Sequence, residues 1–417
     1  MPRLRPPRDP ITIHLDGGPI VADRGEPAAV ALMAAGKLAL ARSPKFHRPR
    51  GPACLRAGCD GCLARVDGEP NVMTCRVPAA PGMQVETQNV VGSRQADLLR
   101  VTDWFFPEGM NHHELLAGVP GAQRVMQAFA RRVAGLGRLP SEASEIRPAR
   151  RRTVDALVVG AGAAGMSAAL GLARKGRKVE VIDDDLTWGG SVRGLDDADA
   201  GWQALLEAFR QALGDARLTL RLRVTAAGVY GDDVLVVGDE GAQIVQAQTL
   251  VLAPGAHDGS VAFEGNDLPG ILSARAVTWM LQGGASPGER LVVVVTPGAG
   301  TFGRAVARTH GGVELVDGMP VRARGGSRIK EVTVAGHGGG DEQRLRCDTL
   351  VIDAPVAPAY ELCAQAGATL VHEPRGFVVT APGGRIRDGV FALGEVTGAP
   401  LLPDVIARDA ARVVDQA

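Results

Sequence analysis

The chain is poor in aromatic residues: two Tyr, four Trp and nine Phe make up 4% of its 417 positions. Its apolar 45% is therefore mostly aliphatic, and it is enough for real cores. Net charge is lacking too, with 46 Lys and Arg against 46 Asp and Glu. That leaves no basic field for nucleic acid and no acidic tail. The longest aliphatic run, Leu291 to Val295, is far too short to span a bilayer. The N-terminus, Met1-Pro2-Arg3-Leu4-Arg5-Pro6-Pro7-Arg8, has no apolar stretch of the kind a secretory signal needs. A cytoplasmic chain of two or three domains is expected.

What is present begins with Val154 to Asp183. An apolar run, Val154 to Val159, leads into Gly160-Ala161-Gly162-Ala163-Ala164-Gly165. An Ala/Leu-rich segment follows to Lys175, then Lys178-Val179-Glu180-Val181-Ile182-Asp183. The pattern predicts strand, G-x-G-x-x-G turn, helix and strand. Gly160 permits a tight turn. Gly162 lets the backbone approach a pyrophosphate. Gly165 lets helix and strand pack closely. The helix N-terminus offers free N–H groups and partial positive charge to the diphosphate. Asp183 ends the second strand, where a carboxylate accepts from an adenosine ribose. Ala163, Ala164 and Asp184 complete this expected contact set. The bland alternative is a glycine turn that binds nothing.

Four of the six cysteines crowd between Cys54 and Cys75. In a reducing compartment such crowding points to metal or redox chemistry. Cys54, Cys59 and Cys62 have the C-x4-C-x2-C spacing of plant-type [2Fe–2S] loops. Gly58 and Gly61 lie between them and are expected to supply unusual φ values and N–H donors to the sulfurs. Cys75 is the fourth ligand candidate. Leu63 to Val66 and Asn71 to Thr74 read as a hairpin about Asp67-Gly68, which brings Cys62 and Cys75 to one end. Structural zinc is the alternative, although it more often uses two C-x2-C knuckles. A thiol–disulfide reductase is disfavoured, because Cys59/Cys62 is the lone C-x-x-C and lies in this loop. Before it, Ile11 to Leu15, Ile20 to Ala22 and a helix over Glu26 to Lys37 suggest a β-grasp domain completed by Gly82 to Thr87.

Val90 to Arg152 reads as a connector. It holds the aromatic patch Asp103-Trp104-Phe105-Phe106-Pro107, a helix over Gln123 to Val133 and a basic, solvated stretch from Arg147 to Arg152. His112 and His113 would face different directions on a helix and are a poor ligand pair. Beyond Asp183, Gly189 and Gly190 sit where the chain can pass close to a flavin diphosphate. A helix over Gly201 to Leu213, a β-meander over Thr219 to Val245 and a strand from Thr249 follow. A second G-x-G-x-x-G, Gly298 to Gly303, lies between the strands Arg290 to Val295 and Val313 to Asp317. The short helix between them leaves nicotinamide binding and a degenerate, structural unit as equal alternatives. Arg344 to Ile352 reads as one strand containing Cys347. Cys363 lies in a helix over Ala359 to Ala366. Both read as buried small hydrophobes.

The Asp155 to Gly190 segment, the turn Ala253-Pro254-Gly255-Ala256-His257 and Ala392-Leu393-Gly394-Glu395 resemble the two-dinucleotide-binding flavoprotein fold. That resemblance implies FAD on the outer Rossmann domain and NAD(P) on the inserted one. It adds Ala253, Gly255, Gly394 and Glu395 to the FAD contacts, with Glu395 at the ribityl chain. Family members carry Asp at the position of Glu395 and Thr at that of Pro254. With the cysteine-bearing β-grasp domain in front, the chain is similar to the alpha subunits of heteromeric sarcosine oxidases. It is similar also to the related proline, opine and cyanide-forming glycine dehydrogenases. Arg48-Pro49-Arg50-Gly51, Asp67-Gly68-Glu69-Pro70-Asn71, Gly135-Leu136-Gly137 and Leu268-Pro269-Gly270 fit that group. The chain stops at Ala417, short of the extra C-terminal domains of longer members.

The expected architecture is α/β. It comprises a β-grasp [2Fe–2S] ferredoxin-like domain over 1–92 and a helical connector over 93–152. An FAD-binding Rossmann domain over 153–268 and 358–417 follows, with an inserted NAD(P)-type unit over 269–357. The resemblance implies an electron-transferring subunit of a heteromeric amine or amino-acid dehydrogenase or oxidase. A partner beta subunit with its own FAD would oxidise the substrate. A further small subunit, an FMN at the subunit junction and a downstream acceptor are also implied, and the second nucleotide site would take NAD(P) or ATP. No substrate-activating base can be named on this chain. The rivals are a self-sufficient NAD(P)H reductase and a non-catalytic scaffold that holds nucleotide.

Overall fold

A computed structural model describes residues 3–43, 46–94, 96–105, 148–195, 199–336 and 340–417, with positions 119, 121, 122, 124, 125 and 128. His112, His113, Phe106-Pro107, Gly135-Leu136-Gly137, Arg147 and most of the expected helix over Gln123 to Val133 lie outside the described residues. The chain forms two compact units. One comprises Met1–Ala143, Val261–Pro297 and Val306–Asp353; the other comprises Ser144–Ser260, Gly298–Ala305 and Ala354–Ala417.

The first unit opens with β1 (Pro10–Leu15) and β2 (Gly18–Asp23), an antiparallel hairpin. Its turn residues Asp16 and Gly17 both take positive φ. Helix α1 (Ala28–Ala34) follows and buries all seven of its residues. It is shorter than the apolar pattern suggests, because Pro27 lies outside it and Gly36 turns left-handed at φ 75°. Next come β3 (Leu63–Val66), β4 (Glu69–Met73) and β5 (Gln84–Glu86). Asp67 and Gly68, at φ 49° and 89°, make the β3–β4 turn. The sheet order is β2-β1-β5-β3-β4, with β1 and β5 parallel. Ile11, Ile13, Leu15, Leu32, Val66 and Val85 fill the core between sheet and helix. That is a β-grasp.

The second unit is built on β6 (Arg150–Val159), α2 (Ala163–Arg174), β7 (Val179–Asp183), α3 (Ala200–Ala212) and β8 (Leu218–Leu222). A meander follows: β9 (Thr225–Tyr230), β10 (Asp233–Gly238) and β11 (Gly241–Leu252). Strand β11 returns beside β6, and the late strand Val390–Ala392 pairs with its far end. The parallel order β8-β7-β6-β11-(Val390–Ala392) is 3-2-1-4-5, the doubly wound order, which reverses direction between β6 and β11. The C-terminal helix Pro403–Gln416 lies on α2, where Gly171 leaves room for Val414.

Three expectations change. The basic run Arg150 to Arg152 is exposed at Arg150 and Arg151, as expected, but it is the start of β6 and not a link. Arg151 is paired with Asp233 of β10 at 2.8 Å and Arg152 donates to Glu180 of β7 at 2.6 Å, so carboxylates on nearby strands partner the two arginines. The residues from Thr219 belong to a third parallel strand rather than to the meander, and the two segments read around Val245 and Thr249 are one strand of 12 residues. Arg344 to Ile352 is broken into Glu342–Arg346 and Thr349–Asp353, and buried Cys347 sits in the break.

The inserted segment forms its own sheet within the first unit. Its order is Ile271–Ser273, Thr349–Asp353, Leu291–Val295, Val313–Gly325, Ile329–Gly336, Glu342–Arg346. Val313–Gly325 runs parallel to Leu291–Val295 over its first five residues, then antiparallel to Ile329–Gly336. The helix Thr301–Thr309 has nine residues, against 12 in α2. No described helix is long and apolar enough to cross a membrane.

Candidate cofactor sites

The cysteine loop leaves the β-grasp sheet before β3. The β3–β4 hairpin pairs Leu63 with Met73, which sets Cys62 beside Cys75. Thr74 fixes this end by donating its backbone N–H and its hydroxyl to the Cys62 carbonyl, the latter at 2.8 Å. The sulfurs fall into two pairs. Cys54 Sγ lies 3.4 Å from Cys59 Sγ, and the Cys62 and Cys75 thiols hydrogen-bond each other. Two thiolates on one tetrahedral iron sit about 3.7 Å apart, given metal–sulfur bonds of about 2.3 Å. Two pairs are what a [2Fe–2S] cluster requires, with two cysteines for each iron. The donor set therefore fits the two-iron cluster better than structural zinc.

The electrostatics favour the thiolate at Cys59 and Cys62 and oppose it at Cys75. Cys59 is pushed down to about 5, first by the Cys54 thiol and then, against burial, by backbone N–H groups including that of Gly61. Cys62 is lowered by its bond from Cys75, and Cys75 is raised in return by the same bond and by burial. Gly58 N–H donates to Cys54 Sγ at 3.2 Å, and Arg56 N–H does so at 3.4 Å.

The expected φ role of the loop glycines is corrected. The left-handed residues are Leu55 and Ala57, at φ 54° and 59°, and neither Gly58 nor Gly61 has a positive φ. Gly61 is needed for space: a Cβ there would overlap the Gly51 carbonyl oxygen. Gly51 in turn packs on the Leu38 carbonyl and on Pro269. Arg50 pairs with Asp267 at 2.8 Å, and Ser273 N–H donates to the Ala53 carbonyl at 2.9 Å. The segments Arg48 to Gly51 and Leu268 to Gly270 thus meet behind the cysteine loop.

In the second unit, the turn after β6 sits at the reversal of strand order, where doubly wound sheets bind ligands. Gly160 adopts φ 102°, and a Cβ there would strike the Ala253 carbonyl at the end of β11. A Cβ on Gly165 would overlap the Gly160 carbonyl oxygen. Gly162 differs, because a Cβ there would meet nothing within 4 Å. It faces open space at the N-terminus of α2, the room a diphosphate needs. Around that space, a Cβ on Gly190 would come 3.0 Å from the Gly162 Cα, and one on Gly394 would come 2.6 Å from the Ala164 Cβ. Gly189 N–H donates to the Ala161 carbonyl at 2.8 Å. The Glu395 carboxylate lies 4.0 Å from where a Cβ on Gly255 would be. Ala163 is buried in the first turn of α2. Segments distant in sequence form one cradle, and its donor-rich, side-chain-free floor fits a flavin dinucleotide.

Asp183 has a second duty. One carboxylate oxygen accepts from Ala161 N–H at 2.6 Å and the other from Asp185 N–H at 2.8 Å. Burial pushes this carboxyl up to about 6, while those two N–H donors pull it down. Each oxygen keeps a further lone pair for a ribose hydroxyl. Asp184 follows it, one residue beyond the strand.

Sequence reasoning missed a buried network in the first unit. His47 Nδ1 lies 2.7 Å from Asp97 Oδ2, and Arg42 donates to the backbone carbonyls of His47, at 3.1 Å, and Arg94. His47 and Asp97 are 50 residues apart in sequence, and no local pattern links them.

Comparison with known proteins agrees with this division. Residues 8–90 match the family described as 2Fe-2S iron-sulfur cluster binding domain, and residues 154–310 match pyridine nucleotide-disulphide oxidoreductase. Sarcosine oxidase subunit alpha of Rhizobium meliloti is 27% identical over 421 residues, covering 90% of this chain and 42% of that one. This chain thus spans about two fifths of that relative's length. Hydrogen cyanide synthase subunit HcnA of Pseudomonas aeruginosa is 38% identical over 82 residues, 20% of this chain and 78% of that one. In fold, the chain is similar to L-proline dehydrogenase from P. horikoshii, with TM-score 0.74 and 20% identity over 99% of this chain and 74% of that one.

Fold and sites define the class: a 2Fe-2S domain fused to an FAD-type, two-Rossmann oxidoreductase. Within that class, the chain belongs with the hydrogen cyanide synthase HcnA subunits over the stretch that they match, and it is homologous to the sarcosine oxidase alpha subunits.

Proposed function

We propose that this chain is the electron-transferring flavin and iron–sulfur subunit of a heteromeric amine or amino-acid dehydrogenase or oxidase complex. The observation that carries the reading is the pairing of the sulfurs, Cys54 with Cys59 and Cys62 with Cys75, on the same chain as the Gly162 cradle. The relatives named as sarcosine and opine oxidase subunits point to the substrate class. A flavin accepts two electrons as a hydride and releases them singly, while an iron–sulfur cluster carries one at a time.

The chain's residues take the following parts. Cys54, Cys59, Cys62 and Cys75 hold the cluster, and the N–H groups of Arg56 and Gly58 stabilise charge on Cys54 Sγ. Gly160, Gly162, Ala163, Ala164 and Gly165 seat the FAD diphosphate on the first turn of α2. Asp183, with Asp184 behind it, ties down the turn and takes the ribose. Gly189 and Gly190 close over the diphosphate. Ala253, Gly255, Gly394 and Glu395 border the ribityl chain and flavin. The cluster domain is assigned to 1–92, the FAD domain to 153–268 and 358–417, and the inserted unit to 269–357. The FAD domain's first strand starts at Arg150.

Substrate oxidation is assigned to a partner subunit with its own FAD, with an FMN at the subunit junction, a further small subunit and a separate acceptor. The test mixes anaerobic, purified chain with sarcosine or proline, with and without a co-expressed FAD-containing partner subunit. Reduction of both pigments only in the presence of the partner is expected. Oxidation by the isolated chain at the full rate of the complex would overturn the assignment.

A second reading, an NAD(P)H reductase, is favoured by one observation. Gly298 and Gly300 of the second motif take positive φ, at 82° and 138°, as a nucleotide turn would. The nine-residue helix after it speaks against a full site. Rapid bleaching of the flavin by NADH would select this reading.

A further inference from the structure

The cysteine loop and the inserted sheet lie in the same compact unit, and one peptide group of the loop joins them. Strand Ile271–Ser273 is the outer strand of the inserted sheet. Its inner side pairs with Thr349–Asp353, and Leu350 N–H donates to the Gly270 carbonyl at 2.8 Å. The Ser273 N–H instead leaves the sheet and donates to the Ala53 carbonyl at 2.9 Å. Arg50 paired with Asp267, and Gly51 packed on Pro269, hold the loop against this strand.

The peptide that joins Ala53 to Cys54 is therefore engaged at both ends. Its carbonyl accepts from Ser273, and its N–H, that of Cys54, reaches the Cys59 sulfur. The N–H groups of Ala53 and Gly61 reach the same sulfur. Cys59 is half-buried, whereas Cys54, Cys62 and Cys75 are buried. Hydrogen bonds in a chain polarise one another, so a donor at the carbonyl strengthens the N–H on the far side of the peptide. Ser273 also caps the helix Ala274–Gln282, accepting from Ala276 N–H at 3.1 Å. The positive end of that helix thus lies behind the same carbonyl. Reduction of a [2Fe–2S] cluster adds one electron and one negative charge, and N–H donors to its sulfurs favour that state.

We infer that the inserted unit tunes the iron–sulfur cluster, with Ser273 raising its reduction potential through the Ala53–Cys54 peptide. Ser273 is a positioning residue and acts through the loop backbone. The inference rests on the cluster assigned above. Absence of the cluster would show as missing iron, whereas failure of the relay would leave the iron in place and the potential unmoved.

The test exploits the backbone of Ser273. Its φ of −71° is one that proline also takes, and its N–H points off an outer strand, where proline is tolerated. Ser273→Pro removes that N–H together with the hydroxyl; Ser273→Ala removes the hydroxyl alone. Both are made in the full chain. Iron content is measured, and the cluster's midpoint is read by electron paramagnetic resonance during titration with dithionite, the electron donor. Ser273→Pro should make reduction about threefold less favourable, roughly 30 mV lower at about 59 mV per tenfold, with unchanged iron. Ser273→Ala should lower the unfolding midpoint and keep the wild-type potential. A wild-type potential in Ser273→Pro, or equal shifts in both variants, overturns the proposal. If Ser273→Pro takes up no iron, amide hydrogen exchange in the wild-type chain decides. The Ser273 amide should exchange about threefold more slowly when the cluster is reduced, and equal rates in the two states overturn the proposal.

Discussion

The cysteine loop and the Gly160 turn hold charged groups by opposite means. In the loop, side chains do the holding: four thiols converge as two pairs, and backbone N–H groups only tune them. In the turn, the absence of side chains matters. Gly160 and Gly165 let three backbone segments close up, and Gly162 leaves a space empty. Loss of one atom should therefore be fatal in the first region, and addition of one in the second.

The largest effect is expected from Cys62→Ser. Removing one sulfur of a pair should abolish the cluster's visible absorbance while flavin stays bound. Cys363→Ser serves as the contrast. That thiol is fully buried and pushed up to about 12 by burial, so the cluster should survive. Equal cluster content in the two variants would break the comparison.

The glycine turn makes a sharper pair. Gly165→Ala forces a methyl into the Gly160 carbonyl, and overpacking of that kind costs about 1–3 kcal/mol. Both the unfolding midpoint and the flavin content should fall. Gly162→Val points into open space, so it should lose flavin with an unchanged midpoint in the flavin-free protein. Calorimetry with bound-flavin analysis checks both.

Within the cysteine loop, Gly61→Ala should destabilise the loop and lower cluster yield, because its Cβ meets the Gly51 backbone. Gly58→Ala should be mild, since its Cβ would stand 3.7 Å from Cys54 Sγ. Similar yields would show that backbone packing behind the loop is unimportant.

The smallest effect is a pH dependence. Asp183 is raised from 3.8 to about 6, chiefly by burial. The folded chain therefore keeps a proton that the unfolded chain has released. The stability this gives is complete below about pH 3.8 and is lost as pH rises through about 6. In flavin-free protein the wild-type unfolding free energy should fall relative to that of Asp183→Asn across that window, by on the order of 3 kcal/mol at most. Parallel pH profiles would contradict it.

Much of this was legible beforehand, for identifiable reasons. Strand, glycine turn, helix and acid follow from local pattern, because each residue's constraint acts on its neighbours in sequence. The Cys62–Cys75 pairing was readable because Asp67-Gly68 fixes the hairpin register. The left-handed Leu55 and Ala57 were not readable, since no side chain there advertises φ > 0 and the loop imposes it. Nor was the union of the meander with the fourth parallel strand in Gly241–Leu252, because a strand can change partners without changing its pattern. The His47–Asp97 pair depends on a contact between segments far apart in sequence.

The most direct test of the central claim is the iron, acid-labile sulfide and FAD content of the chain purified without oxygen. The account predicts two irons, two sulfides and one FAD per chain, with the iron lost and FAD retained in Cys62→Ser. Zinc in place of iron, or a colourless chain without flavin, would contradict it.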